Sequence, residues 1–398
     1  MNAIIPIDLL IIGSGPSGSS TALHLVRHNP NWAQRMIILD KAVHPRDKLC
    51  GGGITFLGLN ILTALGLELE PNHIPLQEAQ LVFEDLSYTF HGDPVFSIVR
   101  RAEFDHWLVQ ILEKQGVPVH QGEGVTDITP TPDYVIVTTD TAIYHAQAVV
   151  VADGSRSFVR QRLKWPGESH VARLIEVDTP ADDSQDPLFQ EKRAIFDFSA
   201  MTADNLQGYY WDFPSYVAGE AKMNRGVFDS RAQPDRPKAS LKKVLADALD
   251  QRQYDLADHK IKGHPIRWFD ADNVFAQPRI ILVGDAAGVD PFMGEGISFA
   301  LGYGTVAAQA LTTAFAQQEF SFSDYRQRIL QDPLLKQLVL RTRLARFSYL
   351  ARQRRFIRWG WRAMQTIIKW TRWRPNYKPV TPVTDRWDYE RPLSGDKS

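Results

Sequence analysis

Residues 7–40 read IDLLIIGSGPSGSSTALHLVRHNPNWAQRMIILD, two apolar runs joined by a glycine-rich turn and a helical segment. Residues 7–12 form a short apolar run, as a strand buried on both faces requires. GSGPSG follows at residues 13–18, then a helical stretch through Arg27. Residues 36–39 are a second apolar run that ends in Asp40. Strand, glycine turn, helix, strand and acid in this order make a βαβ unit. Gly13 allows the tight turn, Gly15 lets backbone approach a pyrophosphate, and Gly18 lets the helix lie close to its strand. Pro16 and Ser17 sit at the helix N-terminus, where free N–H groups and the positive dipole end favour an anion. Asp40 can accept hydrogen bonds from ribose hydroxyls, and its charge disfavours a 2′-phosphate. The segment predicts a dinucleotide site for an ADP moiety without that phosphate.

The chain has 398 residues, enough for two domains or for one large domain carrying an insertion. An apolar fraction of 44% supports sizeable cores, and a net charge of −1 argues against a nucleic-acid binder. Cys50 is the one cysteine, so no intrachain disulfide is possible and a reducing, cytoplasmic setting is expected. The apolar N-terminus lacks a basic n-region, contains Asp8 and runs straight into glycines, so it reads as a strand and not as a signal peptide. No uninterrupted apolar run approaches the roughly 18 residues that a bilayer span needs.

Residues 81–98 alternate as antiparallel strands would, 102–114 carry helical apolar spacing, and 134–139 and 148–152 read as strands. From about 171 to 268 short β-like pieces alternate with polar loops, around one helix at 238–249. Residues 279–283 are again a buried strand, and 296–315 a long helix rich in small residues. The expected architecture is α/β: a Rossmann-like domain formed by 1–75, 98–168 and 269–330, an inserted β-sheet substrate domain formed by 76–97 and 169–268, and a helical C-terminal region over 331–398.

Two later motifs favour FAD over NAD. VVVADGSRSFVR (149–160) brings Asp153 and Gly154 to the end of a strand. RIILVGDAAGVDPFMGEGISFA (279–300) delivers Gly284 and Asp285 to a sheet edge, where a carboxylate can bind ribityl hydroxyls. The turn at Gly294 and Gly296 then starts the long helix at Ile297. Its N-terminus would point at the pyrimidine edge of a flavin and stabilise the negative charge that reduction leaves there.

GSGPSG, ADGSRS and GDAAGVDPFMGEGI, in this order, resemble the FAD-binding pattern of p-hydroxybenzoate-hydroxylase-type flavoproteins. KLCGGGI (48–54) narrows the resemblance to the geranylgeranyl reductase family, in which a Cys-Gly-Gly run lies beside the flavin with the cysteine on the substrate side. YYWDFP (209–214) is similar to the Y-x-W-x-F-P motif lining the isoprenoid pocket of these reductases. The G-x-G that follows in the family is here Asn224-Arg225-Gly226, with one glycine replaced. Motifs and resemblance together give a cofactor set of Gly13, Gly15, Pro16, Ser17, Gly18, Asp40, Lys41, Lys48, Cys50, Gly51, Gly53, Arg101, Val125, Asp153, Gly154, Gly284, Asp285, Gly294, Gly296 and Ile297. They give Tyr209, Trp211, Phe213 and Pro214 as the substrate wall, and no metal. The implied activity is reduction of isoprenoid double bonds with FAD, fed by NADPH or a ferredoxin-type redox partner. Such an alkene needs a hydride on one carbon and a proton on the other, and Cys50, Tyr209 or water are the candidate proton donors. Glycines without Cβ atoms would let the 51–53 backbone lie against the flavin ring. An FAD monooxygenase of an apolar substrate and a non-enzymatic flavin-bound lipid carrier are the alternatives.

Between Pro333 and Thr384 there is no Asp or Glu, but there are thirteen Lys and Arg, with Trp359, Trp361, Trp370 and Trp373. Leu340, Leu344 and Phe347 recur at helical spacing, as do Ile357, Trp361, Met364 and Ile368. This basic amphipathic stretch, 340–375, suits peripheral contact with an anionic membrane or, equally, packing on the body with a solvated basic face.

Overall fold

The computed structural model describes residues 4–167, 170–351 and 353–371. The boundary expected at 168/169 and residues 372–398, Trp373 among them, lie outside the described set, as do the side chains of 365 and 367–371. Two eight-stranded sheets carry the architecture. The first runs in the order Ala276–Gln277, Ile280–Leu282, Ile143–Val151, Ile4–Ile12, Met36–Asp40 and Val119–Gln121, with the hairpin Val125–Pro130/Val135–Thr139 attached to Ile143–Val151. Ile280–Leu282 through Val119–Gln121 pair in parallel. Leu9 to Ile12 and Ala148 to Val151 are buried at every residue, so these strands read as continuous apolar runs without alternation.

Helix Pro16–His28 packs against helices Arg101–Lys114 and Ile297–Gln317. Small residues permit the approach. A Cβ on Gly18 would stand 2.0 Å from the Gly13 carbonyl oxygen, and one on Gly304 would stand 2.3 Å from Ser20 Oγ. Ser20 Oγ in turn donates to the Leu301 carbonyl at 2.7 Å. This contact accounts for the small-residue texture of the long helix.

The second sheet runs Lys262–Arg267, Val171–Pro180, Glu220–Asp229, Gly208–Val217, Arg193–Asp197, His73–Phe83, Leu86–Val99 and Gly53–Thr55. Only the pairing of Arg193–Asp197 with His73–Phe83 is parallel within it. Its hairpin pairs His73 with Val99, so it extends beyond 76–97 at both ends; Pro75 interrupts the alternation in sequence, but the ladder continues through it opposite Ser97. Helix Leu241–Asp250 covers one face, where Val177, Tyr210, Val227 and Leu245 form a separate small core. Along Gly208–Val217 the period of two sends Tyr210 to that core and Tyr209, Trp211 and Phe213 to the other side. The C-terminal region is helical over Tyr325–Gln331, Gln337–Ser348 and Arg354–Thr371. Among the described residues no helix is long and apolar enough to cross a membrane.

Candidate functional site

Where the two sheets meet, a cavity of about 960 Å³ opens at the C-terminal ends of the parallel strands, the usual ligand position in such sheets. At one end lies the glycine turn. Gly13 holds φ +106°, and a Cβ there would be 2.4 Å from the Ala152 carbonyl oxygen. Gly15 caps the helix in extended conformation with Pro16 in its first turn. The Arg46 and Arg101 guanidinium groups stand 3.6 and 4.0 Å from where a Gly15 Cβ would be. Both ion-pair with one carboxylate, Asp105, which is fully buried. Arg101 does so bidentately, at 2.7 Å twice. Against burial, Asp105 keeps Arg101 charged. Two guanidiniums on one carboxylate leave a surplus positive charge beside a helix N-terminus, an arrangement that suits a pyrophosphate.

Asp40 stands at the end of its strand and lines the cavity. Its Oδ2 accepts from Ser14 N (2.9 Å) and Ser14 Oγ (2.6 Å), and its Oδ1 accepts from Ala42 N (2.9 Å). Burial pushes its pKa up, but hydrogen bonds from His44, Ser14 and the Ala42 amide outweigh that and hold the carboxyl well below its ordinary value. Asp40 therefore also ties the glycine turn to the loop after the second strand.

Midway, Lys48 Nζ donates to His264 Nε2 at 2.7 Å, and Ser155 Oγ lies 2.9 Å from the same nitrogen. Burial, then the Lys48 charge, pushes the His264 pKa down to about 3, so the imidazole is neutral and accepts. Asp153 lines the cavity with Oδ2 bonded by Val159 N, while its Oδ1 is buried without a protein partner. Asp285 and the N-terminus of helix Ile297–Gln317, capped by Gly296, complete this wall. A glycine cradle, a cationic helix start, an orphaned carboxylate oxygen and a second helix start fit an FAD molecule.

The far end is aromatic. Phe96, Phe196, Tyr209, Trp211, Phe213 and Phe228 line it, with ring centroids 5.1–6.3 Å apart along the chain of contacts from Phe96 to Phe228. Tyr209 donates its hydroxyl to the Met293 carbonyl at 2.5 Å, and burial pushes the phenol well above its ordinary pKa. Trp211 Nε1 donates to Asn224 Oδ1 at 2.7 Å, and Asn224 Nδ2 donates to Asp178, which Arg100 grips bidentately. A Cβ on Gly226 would stand 2.3 Å from the Trp211 ring, so the remaining glycine of the pair lets the indole lie on the neighbouring strand.

KLCGGGI joins the two ends, and Cys50 to Gly53 all line the cavity. The close approaches that require glycine are made to protein: a Cβ on Gly51 would meet the Phe213 ring at 3.0 Å, and one on Gly52, at φ +79°, would meet the Val99 carbonyl oxygen at 2.0 Å. Cys50 Sγ accepts from Gly52 N at 3.4 Å, and burial pushes the thiol up, so it holds its proton at neutral pH. Cys50 N donates to Glu176 Oε1 at 3.3 Å. Glu176 is buried with Oε2 unpartnered, and burial raises its pKa to about 7.

A family model described as an FAD binding domain matches residues 6–318. The chain belongs to this FAD-binding family. The flavoprotein is 28% identical over 333 residues to a menaquinone reductase of Mycolicibacterium smegmatis, covering 77% of this chain and 76% of the relative. It is 22% identical to digeranylgeranylglycerophospholipid reductase 2 of Methanosphaera stadtmanae, covering 82% and 83%. Its fold matches a geranylgeranyl bacteriochlorophyll reductase-like protein from Thermoplasma acidophilum with a TM-score of 0.69 at 19% identity, over 87% of each chain.

Most of the residues singled out in the sequence lie together on this cavity. Gly18, Gly284 and Pro214 do not line it. Gly18 serves helix packing, Gly284 at φ +56° lies against Ser17, and Pro214 is buried on the opposite phase of its strand. Sequence reading missed Arg46, Glu176, Asn224 and Arg341. Arg341 reaches the cavity from helix Gln337–Ser348 and binds Asp290 (2.6 Å) and Glu295 (2.8 Å). None of the four stands in a motif; only Asn224 had a signal, as the replaced glycine of the family pair.

Proposed function

We propose that this flavoprotein reduces carbon–carbon double bonds of a geranylgeranyl or related polyprenyl lipid. The observation that carries the reading is the continuity of one cavity from the cationic glycine turn to an aromatic arm, with Cys50 at the junction. Menaquinones and digeranylgeranylglycerophospholipids, named in the relatives, share a polyprenyl chain. An aromatic wall with few hydrogen-bonding groups suits such a chain.

Arg46, Arg101 and the helix start at Pro16 would hold the FAD pyrophosphate, and Asp40, Asp153 and Asp285 its hydroxyls. Reduced FAD, replenished by NADPH or a ferredoxin, supplies hydride when bound. Trp211, Phe213 and Phe96 orient the alkene and exclude water, which an unpolarised double bond requires. Cys50 holds a proton at Sγ on the cavity wall, and Glu176 holds one directly behind the Cys50 amide. Tyr209 has its proton engaged with the Met293 carbonyl and acts as wall.

The test is anaerobic mixing of the dithionite-reduced protein with geranylgeranyl lipid, read by flavin reoxidation and product mass. Gain of two hydrogens per bond is expected. Oxygen insertion in air without anaerobic reduction would establish the monooxygenase instead, and no turnover under either condition would favour a carrier. With Cys50→Ser, the protonation step should slow and its pH dependence should change; an unaltered rate and profile remove Cys50 from proton transfer.

A further inference from the structure

The C-terminal helices carry apolar residues on two opposite faces, and only one face is used by the fold. Leu338, Thr342 and Ala345 of Gln337–Ser348 are buried against the body. So are Ile357 and Trp361 of Arg354–Thr371. Trp361 stacks on Phe83 and Tyr88, and its carbonyl accepts the Tyr88 hydroxyl at 2.6 Å. The stripe at Ile357, Trp361 and Met364 is therefore a packing face. The second face points outward. Leu340, Leu344, Phe347, Leu350, Phe356 and Trp359 are 37–74% exposed, and they are six of the eleven exposed large apolar residues among those described. All six fall within twenty consecutive positions, whereas scattered single exposures are the ordinary case.

We propose that this outward face docks the protein on an anionic lipid bilayer surface. Exposed Arg343, Arg346, Arg355 and Arg362 flank it, and the sequence has no acidic residue from 333 to 384. Apolar and aromatic tips within an arginine rim match the interfacial region of a membrane carrying negative headgroups. Charge argues against a second copy as occupant. A two-fold contact would place the same arginines against each other, and the acids nearest them, Asp270, Glu84 and Asp85, already pair with Arg346, Arg354 and Arg358 within one chain. Helix Gln337–Ser348 joins this face to the cavity, since Arg341 on the same helix binds Asp290 and Glu295 at the cavity wall. The docking face does not depend on the substrate assigned above, and its test needs no turnover.

The test is co-sedimentation of the flavin-loaded full chain with vesicles of phosphatidylcholine alone or mixed with phosphatidylglycerol. Binding to the mixed vesicles is expected, weakened by high salt and weak on phosphatidylcholine alone. Phe347→Ser combined with Trp359→Ser should lower the partition coefficient about tenfold or more, because two interfacial aromatic anchors are lost. Flavin absorbance and melting temperature should stay as in the parent, since neither side chain is buried. Binding that the double substitution leaves unchanged, or no binding of the parent, overturns the proposal. So does a parent that forms dimers in light scattering which the same substitutions abolish, because a second copy would then be the occupant.

Discussion

Glu176 shows how one buried side chain couples stability to pH. In the unfolded chain its carboxyl ionises near 4.5; in the folded protein burial keeps it neutral to about pH 7. Between these values the unfolded state has released a proton that the folded state retains. Stability therefore falls as pH rises from about 4.5 to 7, and the loss is complete above 7. A shift of this size corresponds to at most roughly 3 kcal/mol. Glu176→Gln keeps the acceptor for Cys50 N and removes the ionisation. Denaturation midpoints measured across this range should decline less steeply for the variant, which should exceed the parent in stability above pH 7. Parallel curves would mean that Glu176 is solvated or ionised in the fold. The same variant tests the proton supply proposed behind Cys50: the pH dependence of the proposed alkene reduction should lose a limb near neutrality.

At the scale of elements, strand Glu220–Asp229 fixes the aromatic wall of its neighbour. Asn224 Oδ1 takes the Trp211 indole proton, and Gly226 vacates the space into which the ring lies. Asn224→Gly would leave Nε1 buried without an acceptor and add a flexible residue to a strand. The expected cost is about 1–3 kcal/mol, read as a lower denaturant midpoint at unchanged slope. If the proposed polyprenyl substrate is right, a freed indole should also relax discrimination between chains of different length; an unchanged denaturant midpoint would show that Asn224 does not hold the ring. This strand also marks where sequence reading ends. The βαβ unit was legible because its glycines, apolar runs and acid are neighbours in the chain. The row Tyr209, Trp211, Phe213 was legible because a strand has period two. Glu176 and Arg341 were not, because each reaches the site by long-range pairing that no local pattern encodes; Asn224 showed only as a replaced glycine, and its hold on Trp211 comes from the pairing of the two strands. KLCGGGI lies between these cases. Its glycines do signal close approach, but Gly51 and Gly52 approach Phe213 and the Val99 carbonyl, partners that become visible only once the second sheet folds over the loop.

Across the whole molecule, the cavity is both the binding site and the seam between the sheets. The glycine loop crosses it: Cys50 N binds Glu176 in the second sheet, and Gly53 pairs with Ile98 at that sheet's edge. Cationic groups gather on the same wall. Burial, together with the nearby charges of Arg101 and Arg46, lowers the Lys48 pKa, although Asp285 opposes this. An anionic dinucleotide in the cavity would offset that repulsion and touch both sides of the seam, so it should bind the folded chain and not the unfolded one. Linkage then requires that removing the flavin destabilise the protein, with about 2.7 kcal/mol restored when free FAD reaches a hundred times its Kd. The measurement is the melting temperature of deflavinated protein titrated with FAD or with ADP. FAD should raise it steadily, and ADP should do so less, since ADP engages only the glycine turn. Arg46→Ala should reduce the shift from both ligands by weakening the pyrophosphate contact. Equal shifts from ADP and FAD would mean that the flavin half makes no stabilising contact across the seam, and that the aromatic arm and the glycine turn are not parts of one site.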